Sequence, residues 1–387
     1  MLFKKSIPKL IAEANENGEH TLKRTLTSSG LIALGVGAII GAGLFSLTGI
    51  AAAENAGPAV ILSFIIAAVG CAFAGLCYAE FASMIPVAGS AYTYSYATMG
   101  EFVAWIIGWD LVLEYALAGA TVAVSWSQYF NQLLMIFHIH LPDALLKGPW
   151  EGGMVNLPAI IIVCLLSLLL MRGTQESSRV NNILVILKVG VVLIFIALGW
   201  SFIDPANHDP FIPVNAGEEM VKNGQQGLWA FLKSDDFGHF GISGVLRAAG
   251  VVFFAFIGFD AVSTAAQEAK NPKKGMPIGI IGSLIICTLL YVLFSYVMTG
   301  IENYTMFKGD AKPVATAFAK TGYHFLNTAL IITIIAGYTS VILVMLLGQS
   351  RVFYSMSKDG LLPKIFCDLS KRQTPWKTNV IFMVFES

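Results

Sequence analysis

Residues 30–49 read GLIALGVGAIIGAGLFSLTG, a stretch of about bilayer-spanning length without a charged side chain. Glycines recur along it, at Gly35, Gly37, Gly41 and Gly43. Their spacing differs from the GxGxxG pattern of nucleotide-binding loops, which also requires a preceding strand. Two interpretations remain open. The glycines could allow close helix packing, or the segment Gly41-Ala42-Gly43 could unwind and leave backbone N–H groups free to bind an anionic group near the middle of the membrane.

A second apolar stretch decides between these interpretations. Residues 253–272 read FFAFIGFDAVSTAAQEAKNP, with Gly258 and Asp260 inside the apolar part and a helix end at Asn271 and Pro272. A carboxylate at membrane depth is costly, and it is therefore a candidate for function. Interrupted helices in a first and a sixth span predict an inverted repeat of five plus five helices, with the binding site between the two breaks.

The composition indicates a membrane protein. Of the 387 residues, 56% are hydrophobic and only 12% are charged, whereas soluble domains carry about 25% charged residues. The apolar runs lack the alternation of a membrane β-barrel, so we expect an all-α integral membrane protein in contact with the lipid bilayer. The 24 basic and 24 acidic residues balance, which gives a nucleic-acid partner no electrostatic support.

Nothing in the sequence predicts an enzyme, a metal site or a bound cofactor. No nucleophile and base stand at a suitable spacing, and the six histidines form no metal-binding motif. The five cysteines form no CxxC pattern. We interpret them as reduced packing residues.

Eight stretches are long and apolar enough to cross a bilayer, the fourth being the shortest. The predicted spans are residues 30–53, 58–84, 102–130, 155–171, 183–203, 245–266, 278–300 and 325–348. Most Lys and Arg residues between the spans fall on the side of the N-terminal tail. This bias predicts a multi-pass protein of the cell membrane with a cytoplasmic N-terminus.

The spans divide the chain into six parts. These are a cytoplasmic N-terminal tail (1–29), a first repeat with helices one to five (30–203), an external loop (204–244), helices six to eight of the second repeat (245–348), a cytoplasmic loop (349–379) and the start of a ninth span (380–387). We expect the last part to be a span that is cut short, which leaves the second repeat incomplete. The alternative is a short tail at the inner interface.

Four motifs carry a resemblance to a known family. They read GVGAIIGAGLFSLTG (35–49), GWDLVLEY (108–115), NNILVILKVGVVL (181–193) and FFAFIGFDAVSTAAQEAKNPKKGMPIGI (253–280). Together they resemble the amino acid, polyamine and organocation transporter superfamily in its cationic amino acid transporter branch, from about Thr25 to Val384. The resemblance implies the five-plus-five fold and transport of amino acids. The chain departs from the family by ending where the ninth span is expected to begin.

The resemblance also implies where an amino acid binds. Its carboxylate would meet the N–H groups of Ala42 and Gly43 in the first break, and its ammonium group would meet the carbonyl groups of Phe254, Ala255 and Ile257 in the sixth span. The residues expected to form the site are Ile40, Gly41, Ala42, Gly43, Phe254, Ala255, Phe256, Ile257 and Gly258. Phe256 is the expected lid over the substrate, although aromatic residues in a membrane helix also serve simply for packing.

Lys188 lies near the centre of the fifth span, between ILVIL and VGVVLIF, too deep for easy access to water. One interpretation is a structural lysine paired with a carboxylate or with backbone carbonyls. The other is a lysine that changes its charge because burial makes the neutral amine accessible. Protonated, it would contact carbonyls near Gly41 and a hydroxyl such as that of Thr339 or Ser340. By resemblance to proton-coupled family members, Lys188 would then couple transport to protons.

Four acidic residues are further candidates. Asp110 and Glu114 are expected on one face of the third span, where they would bind a cationic side chain or anchor the helix. Asp260 would support the sixth break or relay a proton, and Glu268 is expected as a gate charge on the cytoplasmic side.

Three functions remain open at this point. The leading one is proton-coupled uptake of small neutral or cationic L-amino acids, with the proton as coupling ion and no cofactor. The second is an uncoupled amino acid facilitator or exchanger. The third is a membrane sensor, an interaction subunit or an inactive fragment that does not transport. The sequence leaves the oligomeric state open.

Overall fold

The long apolar segments form helices because backbone N–H and C=O groups in hydrocarbon must be satisfied within their own segment. The computed structural model describes residues 4–6, 8, 26–85, 87, 89–149, 152–225, 227–310, 312–370 and 374–386. These ranges contain no β-strand, only an isolated parallel bridge between Leu26 and Ala269. The predicted all-α class is confirmed. Most of the tail predicted at 1–29 lies outside the described residues.

Helices are numbered here in chain order. The first crossing contains α1 (Ser28–Ile39) and α2, which joins the turns Gly43–Leu47, Thr48–Ala51 and Ala52–Ala56. The others are α3 (Val60–Met84), α4 (Ser90–Thr98), α5 (Glu101–Ile136), α6 (Leu157–Arg172), α7 (Thr174–Gly199), α8 (Ala216–Lys222), α9 (Leu228–Phe231), α10 (Gly241–Phe253), α11 (Ala261–Thr264), α12 (Pro272–Ile301), α13 (Pro313–Ala319), α14 (His324–Lys358) and α15 (Trp376–Glu386).

Several helical segments meet the length and apolarity of a membrane span. Six do so within the described residues: Gly43–Met84, Glu101–Ile136, Arg179–Phe202, Gly241–Thr264, Pro272–Ile301 and Asn327–Lys358. Two shorter apolar helices, α1 and α6, accompany them. The longest of the six contains the end of the first predicted span and the whole of the second, because α2 and α3 follow each other through a turn at Gly57, where φ is +58°.

The first and sixth crossings are interrupted, as predicted. Helix α1 ends at Ile39, the next residue has extended backbone, and helical turns resume at Gly43. Helix α10 continues into a short 3-10 turn, Phe254–Phe256, after which Ile257 has ψ 136° and Gly258 has φ +105°. The chain becomes helical again in α11.

Several helices extend past the predicted spans. Helix α7 begins at Thr174 rather than at 183, and α14 continues to Lys358 rather than ending at 348. The added residues are more polar, and those of α14 are largely buried within the protein, so hydropathy does not detect these ends. The same reason explains why α4, α8 and α9 are absent from the predicted spans.

Helix α14 packs along α5 and α7 and also contacts α1. Helix α12 packs along α1 and α3, and α10 packs on α3. We call the end of the bundle with α8, α9 and α13 the loop end. We call the opposite end, where Lys5 contacts Asp359, the tail end.

Candidate functional site

The two breaks contact each other backbone to backbone. A Cβ atom added to Gly43 would lie 2.2 Å from the Cα atom of Ala255, so only glycine permits this approach. The first N–H groups of a helix have no partner in that helix and carry partial positive charge, and the last C=O groups carry partial negative charge. Since α2 begins at this contact and α10 ends there, the breaks offer donors for a carboxylate beside acceptors for an ammonium group.

Tyr291 of α12 holds both breaks. Its hydroxyl oxygen lies 2.7 Å from the carbonyl oxygen of Ile39 and 2.9 Å from that of Ala255. A phenolic hydroxyl has one proton, so it donates to one of these carbonyls at a time. The ring is fully buried. Tyr291 therefore fixes the separation of the two interrupted helices.

Two cavities adjoin the breaks. The inner cavity has a volume of about 20 Å³, room for about one water molecule. The outer cavity measures about 340 Å³, within the roughly 300–1,000 Å³ typical of ligand pockets. Ala42 and Phe254 line both cavities, and the outer one extends towards Glu54 and Asp310 at the loop end.

The inner cavity is apolar. Its lining consists of glycine and apolar residues only: Ala38, Ile39, Gly41, Ala42, Gly43, Ala118, Val122, Phe254, Ile257, Val341 and Met345. The polar groups that it presents are therefore those of the backbone. The predicted residues Ile40, Ala255, Phe256 and Gly258 are neighbours of this lining rather than members of it.

Two phenylalanines of the sixth span have different surroundings. Phe256, the predicted lid, is fully buried and packs against Phe64 and Tyr291, with ring centroids 6.4 and 5.2 Å away. It lines neither of the two cavities. Phe254 lies between them. The prediction misplaces the lid because the 3-10 turn redirects successive side chains, which a pattern of apolar residues does not reveal.

Lys188 is fully buried in α7, and its ammonium group contacts both α1 and α14. Its Nζ atom donates to the carbonyl oxygens of Gly37 and Ile40, at 2.7 and 2.8 Å, and to the hydroxyl of Ser340, at 2.7 Å. The Ser340 hydroxyl in turn donates to Gly37, at 3.0 Å. An ammonium group has three N–H donors, so these three acceptors match the protonated lysine.

The hydroxyl next to Ser340 has another partner. Thr339 accepts a hydrogen bond from the indole nitrogen of Trp126, at 2.9 Å, and donates to the carbonyl of Ile335, at 2.8 Å. Of the two hydroxyls predicted from the sequence, Ser340 is therefore the one that contacts Lys188.

A buried polar cluster surrounds Asp260. Its carboxylate accepts hydrogen bonds from the hydroxyls of Tyr115 and Ser90. Glu114 is close enough for the charges of the two carboxyl groups to interact, and it lies on α5 one turn from Ala118 of the inner cavity. Asp260 and Glu114 thus form a pair next to the inner cavity without lining it.

Asp110 and Glu114, expected on one face of the helix, have different surroundings. Asp110 is exposed, whereas Glu114 is half-buried. Residues four apart on a helix differ by one turn in height and by about 40° in direction. Here that difference is enough to leave Asp110 at the protein surface.

The tail end is closed by contacts between distant segments. Arg351 and Glu268 form an ion pair at 2.5 Å, with both side chains buried. Lys5 pairs with Asp359, which also accepts a hydrogen bond from Tyr92 at 2.8 Å. Glu268, predicted as a gate charge, therefore lies at a closed end of the molecule.

Sequence reasoning misses three residues of this arrangement. Tyr291 reads as one more aromatic residue in an apolar span, and Arg351 reads as a loop residue because its helix was predicted to end at 348. Tyr115 follows Glu114 directly in the GWDLVLEY motif. A polar atom within a span is the signal that was available for the two tyrosines, since buried hydroxyls need a partner.

The chain is similar in sequence to known membrane transport proteins. The family described as "Amino acid permease" matches residues 26–387. The branched-chain amino acid permease BcaP of Bacillus subtilis (strain 168) is 47% identical over 384 residues, which cover 98% of this chain and 76% of BcaP. The methylthioribose transporter of the same organism is 42% identical over 386 residues, covering 98% of this chain and 77% of the transporter.

A solved structure has a similar fold. The crystal structure of MhsT in complex with L-phenylalanine aligns with a TM-score of 0.59 and 17% sequence identity. The alignment covers 95% of this chain and 79% of MhsT. At this identity the likeness concerns the fold alone, and it agrees with the predicted class of two interrupted helices in an all-helical membrane bundle.

Proposed function

The chain belongs to the amino acid permease family, and from this premise we propose that it transports neutral, apolar L-amino acids of the branched-chain kind together with protons. It is a multi-pass membrane protein of a transporter family and not an enzyme. The substrate class, the coupling ion and the orientation in the membrane are the parts that we propose.

The apolar inner cavity beside the backbone groups of both breaks is the observation that carries the substrate class. Ala118, Val122, Val341 and Met345 would surround the substrate side chain once the breaks move apart, because the closed cavity of about 20 Å³ is too small for it. A charged side chain there would lose its hydration without gaining a partner, which is costly. Glu114, the predicted partner of a cationic substrate, lies outside the lining. The name of the BcaP relative agrees with a branched-chain substrate.

The backbone groups would hold the polar ends of the substrate. The carboxylate would accept hydrogen bonds from the N–H groups of Ala42 and Gly43 at the start of α2. The ammonium group would donate to the carbonyls of Phe254, Ala255 and Ile257. The carbonyl of Ala255 already contacts Tyr291, but a carbonyl oxygen has two lone pairs and can accept a second bond. Phe254 would separate the bound substrate from the outer cavity.

Lys188 is our first candidate for proton coupling. Its three acceptors belong to α1 and α14, and a neutral amine has only two N–H donors. Loss of the proton would therefore remove at least one contact with these helices and weaken the hold on α1. Asp260, next to Glu114, is the second candidate because two neighbouring buried carboxylates repel each other when both are charged.

We propose that the loop end faces the outside of the cell and the tail end faces the cytoplasm. The outer cavity extends towards the loop end, whereas buried ion pairs close the tail end. In this arrangement the molecule receives substrate from outside. Movement of α1 away from the tail end would then release it inside.

The test is uptake of radiolabelled L-leucine by liposomes that contain the purified chain, with an acidic exterior or without a pH gradient. We expect accumulation driven by the gradient and competition by L-isoleucine and L-valine, with little competition by L-arginine or methylthioribose. Uptake that ignores the gradient but responds to internal leucine would support an exchanger. Binding of leucine without uptake would support a protein that does not transport.

Variants on one helix test the position of the site. Val122→Phe fills the inner cavity and should abolish leucine binding, measured by calorimetry on the purified protein. Val124→Phe is the matched control, since Val124 is 39% exposed on the outside of the same helix. Gly43→Val is a poor test because the added side chain collides with Ala255. Equal binding by both phenylalanine variants would contradict the site.

A further inference from the structure

Asn181 of α7 is buried against α1. Its exposed fraction is 2%, and its amide Nδ2 donates to the carbonyl oxygen of Ala33 at 3.4 Å. The amide also packs closely against Gly37. A Cβ atom added to that glycine would lie 2.7 Å from Oδ1 and 3.0 Å from Nδ2 of Asn181. Gly37 is thus required for the approach of α1 to this side chain.

Asn181 and Lys188 contact α1 at two levels. They are seven residues apart, about two helical turns, and therefore project from the same face of α7. On α1, Ala33 and Gly37 are one turn apart. Lys188 holds the end of α1 next to the break, and Asn181 holds the part closer to the tail end. The amide is close to Gly37, whose carbonyl oxygen accepts the bond from Lys188.

The amide of Asn181 is only half satisfied. Its Oδ1 atom is buried and accepts no hydrogen bond from any residue that the structure describes. A buried acceptor without a donor is costly, whereas the same atom in water would be satisfied. The long bond from Nδ2 to Ala33 favours the docked position of α1 only weakly, whereas hydration of Oδ1 favours the open position.

We propose that Asn181 is a positioning residue for α1, which sets where α1 docks on α7 below Lys188 and keeps that docking easy to reverse. This inference rests on the proposed function insofar as α1 is the element that moves during transport. Lys188 would respond to the proton, and Asn181 would set how readily α1 leaves once that contact is weakened.

The test measures how often α1 leaves its docked position. Leu31 of α1 is fully buried and packs against Gly275 and Gly279 of α12, so a cysteine there reacts with a polar maleimide only after α1 moves. The reporter is Leu31→Cys in protein whose native cysteines are replaced. Adding Asn181→Leu removes the weak bond together with the unpaired acceptor, so it should lower the labelling rate about two- to tenfold.

Gln349→Leu is the matched control. Gln349 is also a buried amide that donates to a backbone carbonyl, that of Val112 at 3.2 Å, and its Oε1 also accepts no bond among the described residues. It joins α14 to α5 and does not touch α1. This variant should leave the labelling rate of the Leu31→Cys reporter unchanged. Equal slowing in both variants would overturn the proposal, as would an unchanged or faster rate with Asn181→Leu.

A second variant acts from the opposite side of the contact. Gly37→Ala introduces a methyl group that the amide of Asn181 must avoid. This variant should accelerate labelling, because the methyl group pushes α1 away from α7. In a separate variant that keeps only Cys71, which is fully buried in α3, the rate should stay low, because a general loosening would expose it too. Labelling requires no substrate. Failure of leucine binding would therefore contradict the proposed function without affecting this result.

Discussion

The Nζ atom of Lys188 lies 2.7 Å from the carbonyl oxygen of Gly37, and the chain breaks only a few residues later at Ile40 and Gly41. A positive charge is thus held at the point where the first crossing loses its helical hydrogen bonds. Because the contact joins α7 to α1 without a carboxylate partner among the described residues, the state of one proton determines its strength.

Lys188→Ala should leave leucine binding largely intact and remove the dependence of uptake on a pH gradient. The neighbouring side chain on α12 is the thiol of Cys287, which does not replace the lost amine. Uptake in liposomes across a range of external pH is the measurement. Lys233→Ala, an exposed lysine of the loop end, is the control. If the variant still accumulates leucine along an imposed pH gradient, Asp260 rather than Lys188 becomes the candidate for proton coupling.

Tyr291→Phe should lower the free energy of unfolding by about 1–3 kcal/mol, because it leaves a buried carbonyl at Ile39 or Ala255 without its donor. We also expect weaker leucine binding, since both breaks lose a common anchor. Thermal unfolding and calorimetry measure the two effects. Tyr338→Phe, which removes a single bond to the hydroxyl of Ser46, should affect stability less and binding little. Identical losses in both variants would argue against a special role for Tyr291.

Glu268→Gln should open the tail end. The change leaves the buried guanidinium of Arg351 without its charge partner, which costs about 3–5 kcal/mol in comparable cases. Labelling of a cysteine at Leu31 should accelerate strongly. Asp143→Asn breaks an exposed pair with Lys147 and should have little effect. A Glu268→Gln protein that labels as slowly as the unchanged chain would show that other contacts close this end.

Glu218→Gln should reduce stability at neutral pH but not in acid. Glu218 accepts backbone hydrogen bonds from Ser243 at 2.6 Å and Ile242 at 3.1 Å, at the start of α10. Burial alone would raise the pKa of Glu218, but these bonds and the charge of Lys222 outweigh it and hold the pKa below its usual 4.5. Because the pKa of Glu218 is lower in the folded than in the unfolded protein, its charge stabilises the fold when the pH is above the pKa of the unfolded state. This stabilisation is lost as the pH falls through the pKa of the folded state.

Melting temperatures measured from pH 7 downwards test this expectation. The difference between the Glu218→Gln variant and the unchanged chain should shrink below about pH 4.5. Glu219→Gln changes the exposed neighbour and should show no such difference at any pH. A deficit that persists in acid would mean that the shape of Glu218, and not its charge, matters.

The sequence was sufficient for the breaks and for one long-range contact. Gly258 beside Asp260 predicts the interruptions, because a carboxylate at membrane depth is costly and so decides against helix packing as the only role of Gly41 and Gly43. Lys188 predicts its own partners, since a buried ammonium group needs acceptors and only the break and a nearby hydroxyl offer them.

The sequence was insufficient wherever side-chain direction decides the outcome. Phe254 and Phe256 are indistinguishable as apolar residues, and the 3-10 turn between them determines which one faces the cavities. The partners of Arg351 and Asp359 come from distant parts of the chain, and hydropathy contains no information on pairing. Asp110 was placed with Glu114 because helical spacing fixes direction only to within about 40°.

The parallel bridge between Leu26 and Ala269 is a built-in reporter of opening at the tail end. The amide of Leu26 donates to the carbonyl of Glu268 at 2.9 Å, and the amide of Lys270 donates to the carbonyl of Leu26 at 2.8 Å. These amide protons exchange with deuterium only when the first and sixth crossings separate at the tail end. Because the bridge is made of main chain, a side-chain substitution removes none of its donors or acceptors, so deuterium uptake at these two amides measures how readily the tail end opens in each variant.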